Sequence, residues 1–118
     1  MSAAEAEARL KEIADHPDHV LLVAESGGRA AGWIQVSQTR VFESARQAEI
    51  AGLVVREGLR GRGIGRRLVE EAERWARQNG CEALRVRTNV VRERAQQFYR
   101  REGFSEVKTQ RVLEKRLG

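Results

Sequence analysis

The chain has 118 residues, 41% of them hydrophobic and 33% charged, with a formal net charge of +5. This balance excludes a disordered chain, and no apolar run approaches the roughly 18 residues of a membrane span. One cysteine, Cys81, excludes an internal disulfide, and two histidines leave little material for a metal site, so no metal is expected. The length suits one core, and residues 1–118 are read as a single domain.

Of the 22 basic residues, 19 are arginine. Such a surplus favours an anionic partner and leaves nucleic acid, a phosphate-bearing cofactor and an acidic surface open. At 5% aromatics there is no stacking platform for a single strand, which weakens the nucleic-acid reading. The stretch Met1 to Glu7 has neither the basic nor the apolar region of a secretory signal, so a cytoplasmic home is expected.

In chain order, Ala3, Ala6, Leu10, Ile13 and Ala14 fall at helical spacing behind a Ser2/Glu5 capping box, and Pro17 ends that helix. His19 to Glu25 reads as a strand, Ser26-Gly27-Gly28-Arg29 as a hairpin turn, and Ala30 to Val36 as the returning strand. Ala48 to Val55 is a third strand. The turn Arg56 to Gly65, rich in glycine and arginine, leads into a helix whose apolar face is Ile64, Leu68, Ala72, Trp75 and Ala76, with Gly80 just past its end. Glu82 to Thr88 is a fourth strand, Arg92 to Arg101 a short helix stopped at Gly103, and Phe104 to Leu117 one or two closing strands. This order describes an α/β layer on a mixed sheet.

The chemistry is concentrated at the junction of the third strand and the long helix. Free backbone N–H groups and the positive end of the helix dipole meet there, glycines permit close approach, and Arg60, Arg62, Arg66 and Arg67 add cations suited to phosphate oxygens. No Lys-Ser/Thr follows the glycines, so a Walker loop is excluded. The dinucleotide fingerprint fails because position 66 is Arg66. On local physics alone this is an anion loop or a plain strand-to-helix turn.

Arg60-Gly61-Arg62-Gly63-Ile64-Gly65 matches the Arg/Gln-x-x-Gly-x-Gly/Ala pattern of the GNAT superfamily of N-acetyltransferases. Asn89, Ala95-Gln96-Gln97-Phe98-Tyr99 and Gly103-Phe104 follow in that family's order. The chain therefore resembles this family from about Val20 to its C-terminus, most strongly from Glu49 to Phe104. The resemblance implies an α/β (α+β) fold with a mixed, largely antiparallel sheet flanked by helices. It also implies transfer of an acetyl group from acetyl-CoA to a primary amine by direct attack. In the family, the backbone of the strand at Leu53, Val54 and Val55 pairs with the pantetheine arm. The loop Arg60, Gly61, Arg62, Gly63, Ile64, Gly65 and Arg66 holds the pyrophosphate, and the thioester lies where this strand splays from the next.

A tyrosine at the position of Tyr99 commonly protonates the departing thiolate. The thiol pKa is about 8.5 and a phenol's about 10, so hydrogen bonding to the developing charge is a large part of such a role. Tyr99 also reads as a core aromatic beside Phe98. Glu49 is the candidate base for the incoming amine, or a solvated charge near a strand end. Asn89 is read as a contact to the cofactor arm or as an N-cap. The family's Asn-x-x-Ala spacing is not met, since Arg92 stands third after it. Two functions of other classes compete: an acyl-CoA-binding or regulatory module without turnover, and a basic nucleic-acid-binding domain.

Against the family pattern the chain begins late, and it is expected to lack the usual first strand and first helix. Gly58 also stands where relatives often carry proline. A homodimer is expected, either covering the edge of the strand at His19 or exchanging the segment Arg111 to Leu117.

Overall fold

The computed structural model describes residues 16–39, 45–88 and 93–118. The expected helix Ala3–Ala14, Asn89 and Arg92 lie outside the described residues. The described chain forms two compact units, one ending at Arg87 and the other beginning at Thr88. No helix among the described residues is long and apolar enough to cross a membrane.

The first unit is a four-stranded sheet carrying one long helix. Its strands are β1 (His19–Ser26), β2 (Arg29–Thr39), β3 (Gln47–Val55) and β4 (Ala83–Val86), adjacent in that order, and the helix is α1 (Ile64–Gln78). β1/β2 and β2/β3 are antiparallel, whereas β3/β4 is parallel, so the sheet is mixed as expected. The β1–β2 turn is two residues long, Ser26 pairing with Arg29, and Gly27 and Gly28 have φ of 60° and 77°. Two successive positive φ values define the hairpin turn whose twist matches its strands, and only glycine enters it without strain.

The core follows from alternation. Ile34 and Val36 of β2, Ala48 and Ile50 of β3, and Leu68, Val69, Ala72 and Ala76 of α1 are buried. The apolar stripe of α1 recurs every three to four residues, so one helix covers one face of the sheet. Gly32 sets how closely β2 approaches its neighbours. A Cβ there would stand 2.6 Å from the Val54 carbonyl oxygen, 3.2 Å from Val55 Cα and 3.4 Å from Ile64 Cγ2. Gly32→Ala is therefore expected to destabilise the fold by about 1–3 kcal/mol, because backbone must move. Gly52→Ala would meet only the Trp33 ring edge, at 3.1 Å, and should cost less. Thermal denaturation of the two variants checks this order, and equal melting temperatures would contradict it.

The long helix ends at a glycine. In α1 the Gly80 N–H donates to the Arg77 carbonyl and the Cys81 N–H to the Ala76 carbonyl, with Gly80 at φ 73°. This is the paired closure of a Schellman motif. A polar cluster then ties the α1 end to the sheet. Buried Gln38 donates from Nε2 to Asp18 Oδ1 (3.2 Å) and Asn79 Oδ1 (3.3 Å), and Arg46 donates to the Asn79 carbonyl at 2.6 Å. The Cys81 thiol donates to Gln38 Oε1, and burial pushes its pKa up against the opposing pull of Arg46.

The second unit holds α2 (Glu93–Arg101) and the segment after it. The expected strands over Phe104 to Leu117 are corrected here: residues 104–118 form no strand, and Val112, Leu113 and Leu117 are 84–92% exposed. A strand needs a partner edge for its N–H and C=O groups, and no described strand pairs with this segment. The fourth strand is likewise shorter than Glu82 to Thr88, because pairing with β3 stops at Val86.

Candidate active site

β3 carries the first part of the site. From Gln47 to Ile50 it pairs with Ala83 to Val86 of β4, and β3 then continues to Val55 without β4 beside it. A bulge lies one residue further along. Gln35 pairs with Gly52 and Val36 with Ile50, which leaves Ala51 as an extra residue in β3. Such a bulge bends its strand and increases the local twist, and the pairing of β3 with β4 ends immediately before it. Leu53, Val54 and Val55, the residues expected to offer backbone groups to a ligand, lie beyond that pairing.

At its end the Arg56 N–H donates to the Ala31 carbonyl, and the Leu59 N–H closes a turn on the Arg56 carbonyl. Gly58, Gly61 and Gly63 have φ of 86°, 80° and 80°, and a Cβ on any of them would meet nothing within 4 Å. The loop thus uses backbone that side-chain-bearing residues avoid, and it faces open space. Gly63 is the N-cap of α1, with no side-chain cap and no acidic residue in the first turn. Arg66 and Arg67 occupy that turn instead, reaching Glu70 and Glu71 four residues on. Cations at a helix N-terminus oppose the dipole, and this order of an i,i+4 ion pair is the weaker one. An anion at the loop removes the conflict. Beside it, Ala24, Glu25, Arg62, Gly63, Ile64, Arg66, Arg67 and Glu70 line a hollow of about 400 Å³.

Glu49 lies in the last paired stretch of β3, on the sheet face away from α1, opposite Ser37 of β2 and Arg85 of β4. Its Oε1 accepts from Arg87 Nε at 2.8 Å, in a partly exposed ion pair. Arg87 as the partner of Glu49 was not legible in the sequence. The alternation Leu84, Arg85, Val86, Arg87 was the available signal, but it needs the β3–β4 register before it points anywhere.

Tyr99 stands in the second unit, half-buried, on α2. Its ring meets Phe98 edge-on at 5.1 Å and Phe104 at 5.4 Å. The helix end explains the second contact. The Gly103 N–H donates to the Arg100 carbonyl and the Phe104 N–H to the Tyr99 carbonyl, with Gly103 at φ 95°. This Schellman closure folds Phe104 back onto Tyr99. Burial pushes the Tyr99 phenol above its usual value near 10.

His16 and His19 stack edge to face at 4.5 Å, and His16 Nδ1 accepts the Asp18 N–H. Among the described residues no three His, Cys, Asp or Glu side chains are placed to hold a metal ion.

Comparison with known proteins identifies the scaffold. Residues 2–104 match the family model of the Acetyltransferase (GNAT) family. An uncharacterized N-acetyltransferase of Bacillus subtilis, YhfO, is 32% identical over 102 residues, covering 86% of this chain and 68% of that protein. The aminoalkylphosphonate N-acetyltransferase of Salmonella typhimurium is 45% identical over 85 residues, covering 71% of this chain and 55% of its own length. The chain thus spans between about half and two-thirds of these two relatives. Among solved structures, the aminoglycoside acetyltransferase AAC(6')-Iy, in complex with a CoA-linked bisubstrate analogue, superposes with a TM-score of 0.88 at 22% identity, covering 98% of this chain and 82% of that one. With the family model matching residues 2–104 and the bulged strand and glycine loop in place, the chain belongs to the GNAT family of acetyl-CoA-dependent N-acetyltransferases.

Proposed function

We propose that this chain transfers the acetyl group of acetyl-CoA directly to a primary amine, with the thioester in the opening between β3 and β4. The observation that supports the reading is the start of α1, where positive-φ glycines and first-turn arginines follow β3 and no side chain caps the helix. Backbone N–H groups of Gly61 to Gly65 would hold the pyrophosphate, with Arg60, Arg62 and Arg66 around it. The backbone of Leu53 to Val55, free on its β4 side, would pair with the pantetheine amides. Asn89 is retained as a further contact to that arm.

Acetyl-CoA supplies an activated acyl group, and the protein's residues manage the protons. An alkylammonium, with a pKa near 10.4, has no lone pair, so Glu49 accepts a proton from the acceptor, directly or through water. The amine nitrogen then attacks the thioester carbonyl carbon. A C–N bond forms, the C–S bond breaks, and Tyr99 stabilises and protonates the leaving sulfur. Ammonium and thioester become amide, thiol and one released proton.

The reading is tested by thermal denaturation with acetyl-CoA, CoA, ATP and NAD in parallel. Ligand at a hundred times its dissociation constant adds about 2.7 kcal/mol, on the order of 10 °C for a domain of this size. Stabilisation by acetyl-CoA and CoA alone is expected, followed by amine-dependent thiol release. No stabilisation by either would refute the site.

A further inference from the structure

The outer face of the sheet carries more positive charge beside Glu49 than one carboxylate requires. Arg85 is the in-register neighbour of Glu49 across the β3–β4 pair, and Arg87, two residues on, turns to the same face and ion-pairs with it at 2.8 Å. From β2 the same face brings Ser37 and Gln35, which are uncharged. No carboxylate among the described residues pairs with Arg85. Arg87 is 68% exposed and Glu49 34%, and ion pairs this open add little to stability. Two guanidinium groups and one carboxylate therefore stand together where β3 leaves β4, available to a ligand.

We infer that the acceptor is itself zwitterionic: a primary amine that also carries a phosphonate, phosphate or carboxylate group. Its ammonium goes to Glu49 and its anion to Arg87, with Arg85 adding the second positive charge. Such a ligand inserts into the Glu49–Arg87 pair and gives each protein charge a new partner of opposite sign, so neither is left unpaired. It also turns the carboxylate toward the amine whose proton it accepts. A neutral amine leaves Arg87 competing for Glu49. The inference rests on the acetyltransferase reading of the β3–β4 opening, and the test separates the two.

Thiol release from acetyl-CoA is measured with 2-aminoethylphosphonate, β-alanine and n-propylamine as acceptors, in the wild type, Arg87→Gln and Arg87→Lys. The anionic amines are expected to exceed n-propylamine in kcat/KM by about 10- to 100-fold, the scale of one or two charge-assisted hydrogen bonds. That preference should shrink at least about tenfold in Arg87→Gln and largely survive in Arg87→Lys. Equal or better turnover of n-propylamine, or an unchanged preference in Arg87→Gln, overturns this inference alone. No turnover of any amine while acetyl-CoA still stabilises the protein overturns the transferase reading, and this inference with it.

Discussion

Gly63→Asp is expected to abolish acetyl-CoA binding while leaving the protein folded. Gly63 caps α1 with φ 80°, a conformation that aspartate enters at a cost of about 1 kcal/mol, less readily than glycine but more readily than most residues. An aspartate there sets bulk and a negative charge in the space that the pyrophosphate needs. Its carboxylate would repel the pyrophosphate and compete with it for the helix dipole and the neighbouring cations. Affinity should fall at least about 100-fold, so that the roughly 2.7 kcal/mol of stabilisation by acetyl-CoA at a hundred times the wild-type dissociation constant disappears. Gly63→Ala carries similar backbone strain without the charge and should retain part of the affinity. Calorimetric titration of both variants with CoA decides the matter, and full affinity in Gly63→Asp would move the anion site elsewhere.

The second large effect is expected at Tyr99. Tyr99→Phe keeps the ring that packs between Phe98 and Phe104 and removes only the hydroxyl, so the helix end should be undisturbed. Turnover should drop by about 100-fold or more with the CoA dissociation constant unchanged, the pattern of a group that acts in the transition state. Burial raises the phenol pKa, so the neutral donor persists throughout the neutral range. The linkage has the same sign. A folded-state pKa above the unfolded one means that the stability contributed by the neutral phenol is present below about pH 10 and is lost as pH rises through the folded value. Wild-type kcat should therefore show no decline owed to Tyr99 below about pH 10, and the alkaline decline that it causes should be absent from Tyr99→Phe. Wild-type turnover in Tyr99→Phe would remove the residue from the mechanism.

Local chemistry made the glycine loop and α1 readable in the sequence. Gly61 and Gly63 mark a backbone that other residues avoid, and the stripe from Ile64 to Ala76 repeats at helical period. The Gly27-Gly28 hairpin was equally local. Three features were not readable, each because its cause lies across the sheet. The extra residue Ala51 is visible only against β2, since Gln35 and Val36 skip it. The contact of Arg87 with Glu49 requires the parallel register of β3 and β4, two segments far apart in the chain. Residues 104–117 have the apolar content of a strand, and no periodicity reveals whether an edge is there to receive them.

The placement of Ala51 bears on how such a cleft arises. Up to Ile50 the even-numbered residues of β3 face the core, whereas beyond it the odd-numbered Leu53 and Val55 take that side. Removing Ala51 from the written sequence restores strict alternation through the whole strand, with every inward position still apolar. The sequence therefore describes an ordinary strand interrupted by one surplus amino acid, and the pairing with β4 ends immediately before it. Ala51 itself is exposed, so the core would lose no apolar side chain with it.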